Sequence, residues 1–217
     1  MYLTRMYLNP ARRGARNLLG SPQKMHAAVM FAFPPGGGVG QPGDRVLWRV
    51  DRNAHETTLY VSSPTPPDLT HVVEQAGWPT GANPWQTAEL TPFLARLAEG
   101  QRWAFRLTAN PVRSVRDPDG GRGSVRAHVT VGHQEAWLRD RAGGWGFDAH
   151  TLTVTGRNHA TFARRTDAAS NQVTVAMATY DGVLTVTDAD LLRAAMRGGV
   201  GRAKGYGCGL ITLAPVS

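Results

Sequence analysis

A single histidine stands where acid–base chemistry would be useful. The stretch ARRGARNLLGSPQKMH, residues 11–26, has four basic residues and no acid, and it ends on His26. Ser21 suits a helix N-cap and Pro22 a first helical position, so His26 falls about one turn into a helix. Neutral imidazole is a suitable general base near pH 7, and a helix start disfavours its charged form. Arg12, Arg13 and Arg16, on the segment entering that helix, would hold phosphate oxygens beside it. Any RNA cleavage by such a set would most simply be metal-free. The base deprotonates a ribose 2′-OH, which attacks the adjacent phosphorus and leaves a 2′,3′-cyclic phosphate. A lone helix histidine is more often a packed side chain, and charge and spacing alone leave that reading ahead.

Two other segments are rich in binding chemistry. RGGVGRAKGYGCGL, residues 197–210, holds six glycines, among them Gly199 and Gly201. Dense glycine lets backbone N–H groups approach an anion, and Arg202 and Lys204 add charge. A helix cap and a bulged strand would account for only two or three of the six. KGYG begins like an RRM signature, but Cys208 stands where an aromatic should follow, so Tyr206 is read either as a base-stacking ring or as core. GxxxxGK[ST] is absent and the segment precedes a final strand, which argues against a nucleotide cofactor. The second segment, residues 156–171, carries Arg157, His159, Arg164 and Arg165 between two strands, as a hairpin arm suited to phosphates and groove edges. The seven histidines form no HExxH pattern and no paired-Asp pattern is present, so neither metal nor cofactor is expected.

The composition agrees with an anionic partner, nucleic acid first: 24 basic against 16 acidic residues give a formal charge of +8 over 217 residues. Residues 1–30 contain no acid, and neither does the chain after Asp190, so both ends are basic. A hydrophobic fraction of 41% supports a folded core. Cys208 is the sole cysteine, which rules out an internal disulfide and suits a reducing compartment. No apolar run resembles a signal peptide or reaches membrane-spanning length, so a soluble, cytoplasmic protein with no membrane partner is expected.

The elements repeat one order. YLTRMYLN alternates as a strand, and the His26 helix carries Met25, Val29 and Phe33 at four-residue spacing. RVLWRV and TTLYVSS are strands, PTPPDL opens a long irregular connection, TPFLARLAEG is a helix and RWAFRLTANP a strand. The second half offers GSVRAHVTV, the helix HQEAWLRDRAGG, LTVTG and NQVTVAMATYDGVLTVTD with Asp181-Gly182 as a hairpin turn, the helix ADLLRAAMRGG and the strand GYGCGLITLAP. Each half reads β-α-β-β-α-β. The expectation is an α+β chain of two tandem ferredoxin-like domains, residues 1–115 and 124–217, joined by the Gly-, Pro- and Asp-rich linker 116–123.

Taken together, MYLTRMYLNP, the helix entry with His26, WAFRLTANP (103–111), EAWL (135–138), YDGVLTV (180–186) and Gly199–Pro215 resemble the Cas6e (Cse3/CasE) branch of the CRISPR RNA-processing endoribonucleases. The glycine-rich ending is the most specific of these. The resemblance implies two tandem ferredoxin-like (RAMP) domains and metal-independent cleavage of the precursor CRISPR transcript at the 3′ base of the repeat's stem-loop. It also implies that the protein stays on the guide RNA as a partner of the other subunits of the type I-E Cascade complex. It places the catalytic histidine at His26 and the stem-binding arginines at Arg157, Arg164 and Arg165. Some relatives have a tyrosine one turn before the histidine. Gln23 stands there in this chain, and it cannot act as an acid near neutral pH. Lys24 is the nearest lysine for stabilising the phosphorane. The alternative is a non-catalytic RNA-binding subunit of the same architecture.

Overall fold

The computed structural model of the chain describes residues 1–38, 40–78, 83–116, 121, 123–166 and 169–216; the side chains of residues 163–171 lie outside that description. Two four-stranded antiparallel sheets organise it. The first contains β1 (Tyr2–Leu8), β2 (Leu47–Arg52), β3 (Thr57–Ser63) and β4 (Trp85–Glu89), in the order β2-β3-β1-β4. The second contains β5 (Arg102–Ala109), and then, after a separate ribbon of β6 (Val112–Val115) and β7 (Ser124–Ala127), β8 (Phe147–Thr166), β9 (Ala169–Val186) and β10 (Ile211–Ala214). Its order is β10-β5-β9-β8. Helices α1 (Arg13–Leu19) and α2 (Pro22–Met30) follow β1, α3 (Thr70–Ala76) follows β3, and α4 (Thr91–Ala95) lies between the sheets. Helices α5 (Val131–Ala142) and α6 (Ala189–Gly198) complete the second unit. Each sheet with its helices is a βαββαβ unit, so the fold is two tandem ferredoxin-like units, as expected.

Local chemistry explains the elements that position His26. In β1 the alternation buries Thr4, Met6 and Leu8 on one face. Ser21 caps α2 by accepting from the Lys24 backbone N–H, and Pro22 fills the first helical position. Met25 and Val29 are buried on that helix, with Ala32 and Phe33 just beyond it. Each unit has its own apolar core, one around Met6, Met25 and Leu59, the other around Leu107, Phe147 and Tyr180.

Several expectations need correction. The strand WAFRLTANP does not close the first unit; as β5 it opens the second, pairing with β10 and β9. The first unit closes instead with α3 and β4, both inside the stretch read as irregular. The prolines punctuate that stretch strongly, α3 has only 7 residues, and four of the five β4 residues are exposed, so no amphipathic period develops. The topological seam thus lies between Glu89 and Arg102, upstream of 116–123 (residues 117–120 and 122 of that linker lie outside the described residues). GSVRAHVTV contributes only β7 of the ribbon.

Asp181-Gly182 is not a turn. Both residues lie inside β9, opposite Thr153 and Leu152. A Cβ on Gly182 would come within 2.0 Å of the Thr151 carbonyl oxygen, next to a register shift in β8. The glycine permits that close approach at a bulge. The segment ARRGARNLL, read as a link, is mostly helix α1. Ala15 and Leu18 are buried, and Gly14 lets α1 meet the backbone of Gln75 at the end of α3.

Polar groups fasten the two units across β2. Arg49 is 2% exposed and uses all its N–H donors. Nε and Nη2 donate to Asp51, Nη1 to the carbonyls of Arg106 and Leu210, and Nη2 also to Thr212 Oγ1. Arg106 in turn grips Asp181 at 2.6 and 2.8 Å, and Asp181 also accepts from Thr155. Burial opposes the Asp181 charge, but these donors outweigh it and hold the carboxyl below its usual range. A second clasp joins Arg197 of α6 to Asp44 at 2.7 Å and to Gln41.

Candidate active site

The two units meet at His26. It sits half-buried on α2, and the glycine-rich loop of the second unit faces its ring. A methyl group built on Gly205 would lie 3.6 Å from His26 Nε2 and 3.7 Å from Cε1. Nδ1 is sealed from solvent with no hydrogen-bond partner, so Nε2 is the nitrogen able to meet a ligand. Burial lowers the imidazole pKa below 6.5 and favours the neutral, base-competent form. The helix dipole is secondary, because His26 is the fifth residue of α2 and the effect fades beyond the first turn.

Gln23 stands one turn earlier, about 300° around the helix and so near the face of His26. Lys24 is about 200° from His26, and its Nζ bonds Asn17 of α1 at 2.5 Å. That contact holds α1 to α2 and directs the ammonium away from the imidazole.

The arginines of the opening stretch divide. The Arg12 guanidinium donates to the carbonyls of Val73, Glu74 and Gly77, satisfying the end of α3. Arg16 bonds the carbonyls of Pro10 and Ala11 in its own approach loop. Arg13 is exposed at the start of α1. The basic C-terminal segment divides in the same way. Arg202 is exposed, whereas Lys204 is half-buried, donates to the Gly198 carbonyl at 2.8 Å, and has its pKa lowered by burial and by the nearby Arg45. Sequence reasoning missed Arg45.

The glycines of the loop serve conformation and packing first. Gly199, Gly201, Gly207 and Gly209 all have positive φ. A Cβ on Gly199 would strike Leu47 at 2.7 Å and one on Gly207 would strike Trp48 at 2.8 Å, so the loop lies flat on β2. Ala203 adopts φ 60° and ψ 30°, the only left-handed non-glycine among the described residues, at a cost of about 1–2 kcal/mol. Gly205 differs from its neighbours, because a Cβ there would make ordinary contacts, all with the His26 ring.

The arm is real secondary structure. β8 and β9 pair as a hairpin from Phe147–Val186 out to Thr166–Ala169, and residues 156–166 and 169–171 form its outer part. Arg157 is exposed on it and donates to the Val129 carbonyl at 3.2 Å. The backbone of Arg164 and Arg165 pairs with Asn171 and Ser170 near the tip, and their side chains lie outside the described residues. Tyr206 is half-buried and meets Phe162 of β8, with ring centroids 4.8 Å apart. Beside it, a cleft of about 490 Å³ runs between the units, lined by Pro22, Met25, Trp48, Arg52, Arg106, Arg157 and Tyr206 among others. Sequence reasoning missed this cleft and its charged floor. Their one signal was Arg49-x-Asp51, opposite charges on the same face of a strand.

Among the described residues no three His, Cys, Asp or Glu side chains gather into a metal-binding group. Among the described residues no helix is long and apolar enough to cross a membrane.

A family model described as CRISPR associated protein matches residues 1–215. CRISPR-associated endoribonuclease Cse3 of Thermus thermophilus is 30% identical over 225 residues, covering 99% of this chain and 100% of that protein. CRISPR system Cascade subunit CasE of Escherichia coli is 28% identical over 188 residues, covering 78% of this chain and 89% of its own length. The structure of Thermus thermophilus Cse3 bound to an RNA representing a pre-cleavage complex superposes with a TM-score of 0.75 at 27% identity, covering 99% of this chain and 98% of that one. With its two ferredoxin-like units, its glycine-rich ending and this match along nearly its whole length, the chain belongs to the CRISPR-associated protein family, in its Cse3/CasE (Cas6e) branch.

Proposed function

We propose that this chain is a CRISPR RNA-processing endoribonuclease that cuts precursor CRISPR RNA at the 3′ base of the repeat stem-loop without a metal ion. It then stays on the product RNA as a subunit of Cascade. The observation that carries this reading is His26: an imidazole kept neutral by burial, with one nitrogen able to meet a ligand, at the seam of two units and beside an arginine-bearing arm.

His26 Nε2 takes the proton from the ribose 2′-OH at the cut site. O2′ forms a bond to phosphorus, the P–O5′ bond breaks, the leaving O5′ takes a proton from water, and the products carry a 2′,3′-cyclic phosphate and a 5′-OH while the His26 imidazolium returns its proton to solvent. Gln23 offers an amide donor to a non-bridging oxygen but has no proton to give the leaving O5′ near neutral pH. Arg13 and Arg202, both exposed, supply charge for the RNA backbone, and Arg157 with Arg164 and Arg165 holds the stem. Arg12, Arg16, Lys24 and Lys204 each spend part of their donors on the scaffold of the site, and the remaining donors serve RNA oxygens. Gly199, Gly201 and Tyr206 shape the loop that faces His26.

The test is to incubate the protein with the stem-loop of its own repeat in excess EDTA and to read the product ends. Cleavage is expected to proceed undiminished and to leave a cyclic phosphate upstream and a 5′-OH downstream. Cleavage that requires Mg²⁺, or that leaves 5′-phosphate ends, would overturn the reading.

A further inference from the structure

The arm and the histidine are joined by a short run of contacts. Phe162 lies on β8 five residues beyond Arg157, opposite Val173 of β9. Its ring rests on Tyr206 at 4.8 Å, with the planes 58° apart. Tyr206 belongs to the turn Lys204–Tyr206, closed by its own N–H donating to the Ala203 carbonyl at 2.9 Å. The middle residue of that turn is Gly205, which faces the His26 imidazole across about the width of one methyl group. Neither Phe162 nor Tyr206 belongs to either hydrophobic core.

Two features argue that this aromatic pair does more than fill space. Ala203, at the start of the turn, holds a left-handed backbone that an alanine does not adopt unless its surroundings impose it. The Gly205 turn also faces the imidazole at close range, so a shift of the turn alters the space open to the ring and how much water reaches it.

We propose that Phe162 is a positioning residue: its ring on Tyr206 ties the RNA-binding arm to the Gly205 backbone, so that the arm holds the His26 imidazole in its cleavage-competent place. This rests on the assignment of His26 as general base. An arm engaged on a stem then fixes the turn, and the turn fixes the base. Gly205 leaves a methyl-sized space between turn and ring, so the turn can approach the imidazole without strain.

The test separates rate from affinity. Single-turnover cleavage is measured with protein saturating, and affinity with a repeat stem-loop whose cut-site 2′-OH is replaced by hydrogen. Phe162→Ala is expected to lower the cleavage rate about tenfold while changing Kd by less than about twofold, the rate loss matching the worth of one aromatic pair. Phe162→Tyr, which keeps the ring, is expected to restore the rate. Tyr206→Ala is expected to give the same loss, and the double variant to be no worse than either single one, as for two residues acting through one contact. A wild-type rate in both single variants, a rate loss matched by an equal affinity loss, or multiplying effects in the double variant would each overturn the proposal. His26→Ala is run alongside. If it cleaves normally, the assignment of His26 falls and the coupling with it; if it is inactive while Phe162→Ala cleaves normally, the coupling alone falls.

Discussion

His26→Ala is expected to lower the single-turnover cleavage rate by about 10³-fold, within the range set by loss of a positioned general base, while affinity for the repeat stem-loop stays within about twofold. The imidazole offers one nitrogen to a ligand, and the arginines proposed to bind the stem stand on other elements. Alanine therefore removes the proton acceptor and leaves the electrostatic contacts that dominate RNA affinity. The pH profile of the wild-type protein follows from the same burial. A base must be neutral to act, and burial lowers the His26 pKa below 6.5. The rate should therefore hold its plateau through that pH and fall only further into the acid range. An acid limb centred above 6.5 would place the titration elsewhere, and an alanine variant that cleaves normally would reduce the chain to an RNA-binding subunit.

Arg49→Met is expected to cost about 3–5 kcal/mol, as for breaking a buried ion pair by removing one partner. For a chain of this size that corresponds to a fall of roughly 10 °C in the thermal midpoint. The mechanism is specific: Arg49 is 2% exposed, and its loss strips donors from Asp51, Thr212 and the carbonyls of Arg106 and Leu210 at once. These acceptors lie on both units, so the seam loosens where the Gly205 loop meets His26. Cleavage should weaken even below the midpoint. Arg13→Ala, at an exposed position, is the control and should shift stability by no more than about 0.5 kcal/mol. Thermal unfolding followed by circular dichroism measures both, and equal midpoints for the two variants would show that the Arg49 network does not hold the seam.

The parts of this fold that read from sequence are those with a local period or a strong terminus signal. β1 shows in its alternation, α2 in Ser21-Pro22 and the Met25–Val29 spacing, and α6 in its glycine stop. The parts that did not read are set by tertiary partners. β4 is an exposed edge strand that exists because β1 templates it. Gly182 carries a turn signature, yet its function is to let β8 pass close by. The site shows the same division. His26, the arm and the glycine-rich loop stood out as residue types in suggestive places. Whether a basic residue faces RNA or holds the fold depends on which carbonyls lie within its reach. Arg12 and Arg13 are neighbours in sequence, but one satisfies the end of α3 and the other is exposed. Phe162 carried no motif at all, because its partner Tyr206 is 44 residues away on another element.

The central claim is that the RNA supplies its own nucleophile and His26 activates it. The most direct measurement replaces the single 2′-OH at the cut site of the repeat stem-loop by hydrogen and follows both binding and cleavage. The account predicts wild-type affinity and no detectable product over a time in which the unmodified RNA is fully cut. Cleavage of the deoxy-substituted RNA at the same bond would show that another nucleophile attacks the phosphorus, and would contradict it.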